Sequence, residues 1–162
     1  MDIATFVQSF TENGYLVTFI ISMIPVAELR LAIPVGVSLG LSHTQALVTA
    51  ILGNIVPIPF IIVFIRRIFA FMRRHMPFLE SVVSALERKA ESKRDYILKW
   101  SLLGLTLFVA VPLPGTGAWS GALIAAVMDI RLKSALPAIL VGVIIAGLIV
   151  TGITFGFTNI FA

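Results

Sequence analysis

The chain has 162 residues, 59% of them hydrophobic and 12% charged, with a mean hydropathy of +1.05; this exceeds the apolar share of a soluble domain and implies one integral membrane domain, with no length left for a second. The net charge of +4 does not point to nucleic acid, because 9 of the 12 Lys and Arg lie between Arg66 and Lys99, as the positive-inside rule expects of a cytoplasmic loop beside anionic lipid. The absence of cysteine excludes disulfides, thiolate chemistry and Cys-ligated metals.

The opening residues, MDIATFVQSFTENG, carry no basic n-region and no small-residue cleavage pattern, so the N-terminus is expected to stay in the mature protein. Four apolar stretches follow: Tyr15 to Leu41, Thr44 to Ile65, Leu102 to Met128 and Ser134 to Phe157. The second and fourth, of 22 and 24 residues, match the roughly 20 that cross a bilayer as a helix. The first is broken by PVAELRLAIPVG, Pro25 to Gly36, and the third by VPLPGTGAWSG, Val111 to Gly121. Each arm around a break is about 9 to 10 residues, roughly 14 Å of helix and half of a ~30 Å hydrocarbon core. Such arms suit hairpins that enter and leave on one side. Irregular backbone at that depth must be surrounded by protein or by a water-filled cavity, so the two breaks are expected to meet in the interior.

Sliding the chain by 89 residues superposes Leu16 on Leu105, Phe19 on Phe108, Pro25 on Pro114, Ala46 on Ala135, Leu47 on Leu136 and Gly53 on Gly142. If each half is a hairpin plus one spanning helix, it crosses an odd number of times and the second half is inverted, a transporter architecture. The fold class expected is therefore all-α: an inverted repeat of two units, each a re-entrant helical hairpin plus a transmembrane helix. Residues 1–65 form the first repeat, 66–99 a basic amphipathic linker and 100–162 the second repeat. Arg131 and Lys133 then fall on the cytoplasmic side with the linker, and both termini lie outside the cell membrane. Within the linker, Pro77 marks a helix start. Leu79, Val82, Val83, Leu86 and Ala90 form the apolar stripe of a helix lying on the inner surface.

Glu28 and Arg30 are the charges inside the apolar stretches. Each costs on the order of 2.5 to 3.5 kcal/mol at the bilayer centre, so both should face an interior cavity and have partners. They can pair with each other if the backbone between them is not helical, or Glu28 can accept amide hydrogen bonds at the start of its own outgoing arm. The functional alternative makes Glu28 the carrier of a coupling proton and Arg30, with its planar fork, the holder of a phosphate or carboxylate. Thr116 is placed to cap the arm that begins near Ala118, leaving amides around Gly115 and Gly117 for an anion. Pro25, Pro34, Pro112 and Pro114 shape the breaks. Trp119 either lines the pocket or packs between helices, and Asn54, with Pro57 and Pro59, loosens the first span. Gly152 and Gly156, at GxxxG spacing, suit a homodimer contact.

The ELRxAIPxG run at Glu28 to Gly36 and the PLPGTGAWSGALIAA run at Pro112 to Ala126 resemble the two signature segments of the small multidrug export family. That family is similar in fold to the DedA superfamily, and the resemblance implies re-entrant hairpins, dependence on proton motive force and movement of lipid carriers such as undecaprenyl phosphate. The second break here carries Gly115, Thr116, Trp119 and Ser120 and no charge, a departure from DedA proteins. Neither cofactor nor metal is expected, and no enzyme: His43 and His75 fall on opposite sides, and HExxH, GxSxG and P-loop motifs are missing. The expected function is a proton-coupled carrier of an anionic amphiphile or lipid phosphate. Export of small drugs and a non-transporting assembly role are the alternatives.

Overall fold

The computed structural model describes residues 13–75, 80–91, 94–113 and 115–161, and among them there is helix and no strand. The elements are α1 (Gly14–Met23), α2 (Glu28–Ser38), α3 (His43–Ile55), α4 (Pro57–His75), α5 (Glu80–Glu91), α6 (Arg94–Ala110), α7 (Ala118–Val127) and α8 (Leu132–Phe161). Local chemistry explains the starts. The Asn13 side chain accepts the Leu16 N–H at 3.3 Å to cap α1. Ser42 and Gln45 form a reciprocal capping box on α3, satisfying N–H groups that a helix start leaves unpaired.

Pro57 does not end the second apolar stretch. Val56 keeps helical dihedrals (φ −53°, ψ −48°), so the missing N–H costs a rung of the ladder and α3 runs on into α4. His43–Ile65 and Leu132–Phe157 are the two helices long and apolar enough to cross a membrane, close to the stretches expected at 44–65 and 134–157. They run antiparallel. The His43 ring stands edge-on to Phe155, Leu47 and Ile51 lie against Gly147, and Asn54 shares a small gap with Val143 and Ala146, so numbers rise on one helix as they fall on the other.

Around this pair the shorter helices pack in two sets. Helices α1 and α2 lie on each other and on α3, while α2 also reaches α8; α6 and α7 lie on each other and on α8, while α7 also reaches α4. Close approach is made through glycine: a Cβ at Gly53 would strike Ser22 and the Phe19 carbonyl, and one at Gly142 would strike the Thr106 carbonyl and Val109. Beside Gly142 the Thr106 hydroxyl donates to the Ala138 carbonyl at 3.0 Å across α6 and α8, as polar side chains join helices in apolar surroundings.

Three expectations need correction. The first break is shorter than PVAELRLAIPVG, since helix is lost only at Ile24 to Ala27 and Pro34 lies inside α2; a helix tolerates proline by giving up one backbone bond, here the one to the Arg30 carbonyl. The 66–99 segment is shared by three helices, since α4 continues from the span to His75, α5 lies within it and α6 begins at Arg94. Helix α5 docks on protein as well: Val83 is fully buried, with Val82 exposed, α5 packs on α4 and α7, and Arg73 pairs with Glu87. Pro77 and Leu79 lie outside the described residues. The α8 glycines also divide, Gly142 and Gly147 being packed within the chain while Gly152 and Gly156 have no neighbour in reach.

Candidate functional site

The start of α2 and the start of α7 face each other, and the chemistry gathers where they meet. Glu28, the first residue of α2, has a φ of +46°, a left-handed conformation that costs a residue with a Cβ about 1–2 kcal/mol. The neighbour that repays it is on the other half of the chain. The Glu28 carboxylate accepts the Trp119 N–H at 3.1 Å and faces the Ala118 N–H, so it sits on the N-terminus of α7, where unpaired amides and the helix dipole favour a negative charge.

Gly117 makes this possible. It is the cap residue of α7, has no side chain to spend on the cap, and holds a φ of +109°. A Cβ there would collide with the Glu28 carboxylate, so the space that glycine leaves open is occupied by the acid. Glu28 is 4% exposed, and two amides supply the hydrogen bonds that a buried carboxylate requires.

Arg30 takes a different partner. Its Nη2 donates to the Thr116 carbonyl at 2.8 Å and to the Thr116 hydroxyl at 3.0 Å. Among the described residues Glu28 and Arg30 make no contact ion pair with each other, because both belong to helix α2, where residues two apart point to different faces. The expected ion pair and the expected bond to the outgoing arm of Glu28's own half are thus replaced by bonds to the second break. Thr116 differs as well: it does not cap α7, which has no side-chain cap bond of its own. Its hydroxyl is directed back to the Val111 and Leu113 carbonyls at 2.6 and 2.8 Å, closing the 111–117 turn, and its amide is spent on the Leu113 carbonyl. The amide that receives an anion is therefore that of Trp119. Trp119 also packs between halves, its indole N–H donating to the Met23 carbonyl at 3.0 Å.

Two cavities meet at Arg30. One, of about 500 Å³, is lined by Pro25, Glu28, Gly115, Thr116 and Trp119 at its deep end, and extends past Leu123 to Phe69 and Leu86 of α4 and α5. The other, of about 550 Å³, is lined by Pro34 and Pro112 beside Arg30 and extends to Ser38 and Phe157. From α7 the first cavity takes Trp119, Ser120 and Leu123 and from α8 nothing, whereas the second is bordered by Val150, Ile153, Thr154 and Phe157 of α8. Arg30 is the residue common to both cavities. Both are mainly apolar, with the polar groups concentrated at the breaks.

Asn54 lies in neither cavity. It is 1% exposed, borders the small gap shared by Glu28, Arg30 and Gly117, and neither its Nδ2 nor its Oδ1 has a hydrogen-bond partner. Of the residues singled out in the sequence, Pro25, Pro34, Pro112, Glu28, Arg30, Gly115, Thr116, Gly117 and Trp119 surround the two cavities or the Glu28 cradle; Pro114 lies outside the described residues. Sequence reasoning missed the α8 wall of the second cavity, Val150, Ile153 and Thr154. The available signal was Thr154, a buried hydroxyl that, like Thr151 before it, bonds back to the carbonyl four residues earlier in a run that is apolar apart from these two.

Residues 28–149 match the family described as "Putative small multi-drug export protein", a description that names an export protein and no enzyme class. The match begins at Glu28 itself, directly after the first break, and takes in the second. Among curated proteins and solved structures nothing matches the chain. With two helices fit to cross a membrane and a match that covers more than half of its length, this chain belongs to the small multi-drug export family.

Proposed function

We propose that the protein is a proton-coupled membrane transporter for an anionic amphiphile such as a lipid phosphate, and that the head group binds at Arg30. The observation that carries this reading is the position of Arg30 on the wall of both cavities. A guanidinium offers five donors in a fork suited to phosphate or carboxylate, and the apolar walls suit a hydrocarbon tail. The α7 amides are held by Glu28, so the head group would compete with Thr116 for Arg30 rather than with Glu28 for the helix start. Glu28 is the proton carrier in this scheme: protonation removes the charge that the α7 N-terminus holds, which loosens the contact between halves.

The architecture belongs to the same proposal. Helices α1, α2 and α7 have 10, 11 and 10 residues, roughly 15 Å each and half of a bilayer core, in keeping with re-entrant hairpins. Inverted repeats are supported by the antiparallel spans and by the 89-residue offset. At that offset Glu28 falls on Gly117 and Gly40 on Asp129, and all four have positive φ. Gly53 falls on Gly142, and each presses on the first helix of its own half. In a mild detergent or a nanodisc, native mass measurement should give a homodimer held through Gly152 and Gly156; a clean, active monomer would rule that out.

Purified protein in vesicles, with uptake of a fluorescent alkyl phosphate measured with and without a pH gradient, tests the transport reading. Gradient-dependent uptake is expected. Uptake of cationic dyes in preference to the phosphate would favour drug export, which the family description suggests, and absence of any flux would favour an assembly role.

A further inference from the structure

An amide buried without partners costs about 1–3 kcal/mol, and such orphans call for a physical explanation. Asn54 leaves both a donor, Nδ2, and an acceptor, Oδ1, unused. Its shared gap is lined by Glu28, Leu29, Arg30, Gly117, Val109 and Val143 among others. The gap has no room for a water-sized probe, so a bridging water does not supply the missing bonds. The charged groups bordering it are Glu28 and Arg30, both from α2; its described lining residues from α3, α6, α7 and α8 are neutral. Arg30 is engaged by Thr116.

The two orphan atoms define what would satisfy them together. A carboxylate is an acceptor only; it can take the Nδ2 hydrogen but leaves Oδ1 facing negative oxygen. A protonated carboxyl has one O–H and one carbonyl oxygen, the complement of an amide. We propose that Asn54 is the second station of the Glu28 side chain: once protonated, Glu28 leaves the Trp119 N–H and pairs with the Asn54 amide, its O–H donating to Oδ1 and Nδ2 donating to its carbonyl oxygen. One proton is taken up and none moves onto Asn54. The left-handed φ of Glu28 fits a residue held in a strained first position by the bond it gives up, since such strain persists where the surroundings enforce it. The protonated form leaves the α7 N-terminus without its anion and frees the two halves to move.

This inference rests on the proton-carrier reading of Glu28 and has its own test. Asn54→Leu removes the amide at similar volume, and Asn54→Val installs the residue that stands 89 positions later, Val143. Each variant is reconstituted for pH-driven uptake of the alkyl phosphate, melted in detergent, and examined by infrared spectroscopy for the carbonyl band of protonated Glu28, identified by its loss in Glu28→Gln. Expected are a fall in gradient-driven uptake of at least about tenfold, since the pair of hydrogen bonds is lost together, a shift of that band, and a melting temperature equal to or above that of the parent. Unchanged uptake or an unmoved band overturns the proposal. A loss of uptake that only follows a loss of folding in both variants overturns it too, because Asn54 is then structural. If Glu28→Gln itself keeps pH-driven uptake, the underlying reading falls; if that variant loses it and the Asn54 variants do not, only this inference falls.

Discussion

The two helix breaks occupy corresponding places in their halves and contribute opposite things. The first, Ile24 to Ala27, delivers side chains, since α2 begins with Glu28 and carries Arg30 two residues later. The second, Val111 to Gly117, delivers backbone: the Trp119 amide receives Glu28 and the Thr116 carbonyl receives Arg30. Each break satisfies what the other leaves open, so a charge in the first half is stabilised by a dipole in the second. Under the proposed coupling, neutralising Glu28 would release this bond between the halves, a lever that a self-contained ion pair within α2 would not give.

The largest effect is expected from Glu28. Glu28→Gln keeps shape and volume but cannot titrate, so pH-driven uptake should be abolished while the protein still folds; unchanged pH dependence in the flux assay would break the comparison at its centre. Gly117→Ala comes next, because it adds a left-handed strain to a collision with the Glu28 carboxylate, together about 2–3 kcal/mol. Gly40→Ala is its control: the same sign of φ, +90°, with nothing within 4 Å of the added Cβ should cost only about 1 kcal/mol. Thermal melting of the two variants side by side tests this, and equal losses would mean that glycine is needed at 117 for its φ alone and not for the acid it cradles.

Arg30→Lys should have an intermediate effect. It keeps the charge but loses the planar fork suited to phosphate, along with the Nη2 that reaches both oxygens of Thr116, so binding of the alkyl phosphate should weaken more than folding does; an equal fall in both would place Arg30 among structural residues. The smallest free-energy effect is expected from labelling sites. Single cysteines at Ser42 and Lys133 should leave activity intact and react with impermeant reagents from opposite sides. Reaction of both from one side would refute the re-entrant arrangement and with it the correspondence of the two breaks.

The long spans were legible because their evidence is local. Twenty or more apolar residues in a row fix a helix by backbone self-sufficiency, and 44–65 and 134–157 lie within His43–Ile65 and Leu132–Phe157. The breaks were legible as regions, since Pro25 and the Pro112 to Gly117 run announce them. Their extents were not, because Pro34 and Pro57 are accommodated inside helices once neighbours hold the chain. Glu28 and Arg30 stood out as the charges in apolar surroundings. Their partners did not, for an acid two residues from an arginine suggests the nearer bond.

Composition, the lengths of the apolar runs and the placement of Lys and Arg determined on their own that this is a helical membrane protein with two interrupted segments and a charged site, because each property depends on residues close in sequence meeting a uniform apolar solvent. The tertiary structure alone decided that Glu28 belongs to the start of α7, that Arg30 belongs to Thr116, and that Asn54 is left with neither. Those pairings join residues about 90 positions apart. Their cause is the meeting of two helix ends inside the protein, where each buried polar group takes the partner that packing brings to it.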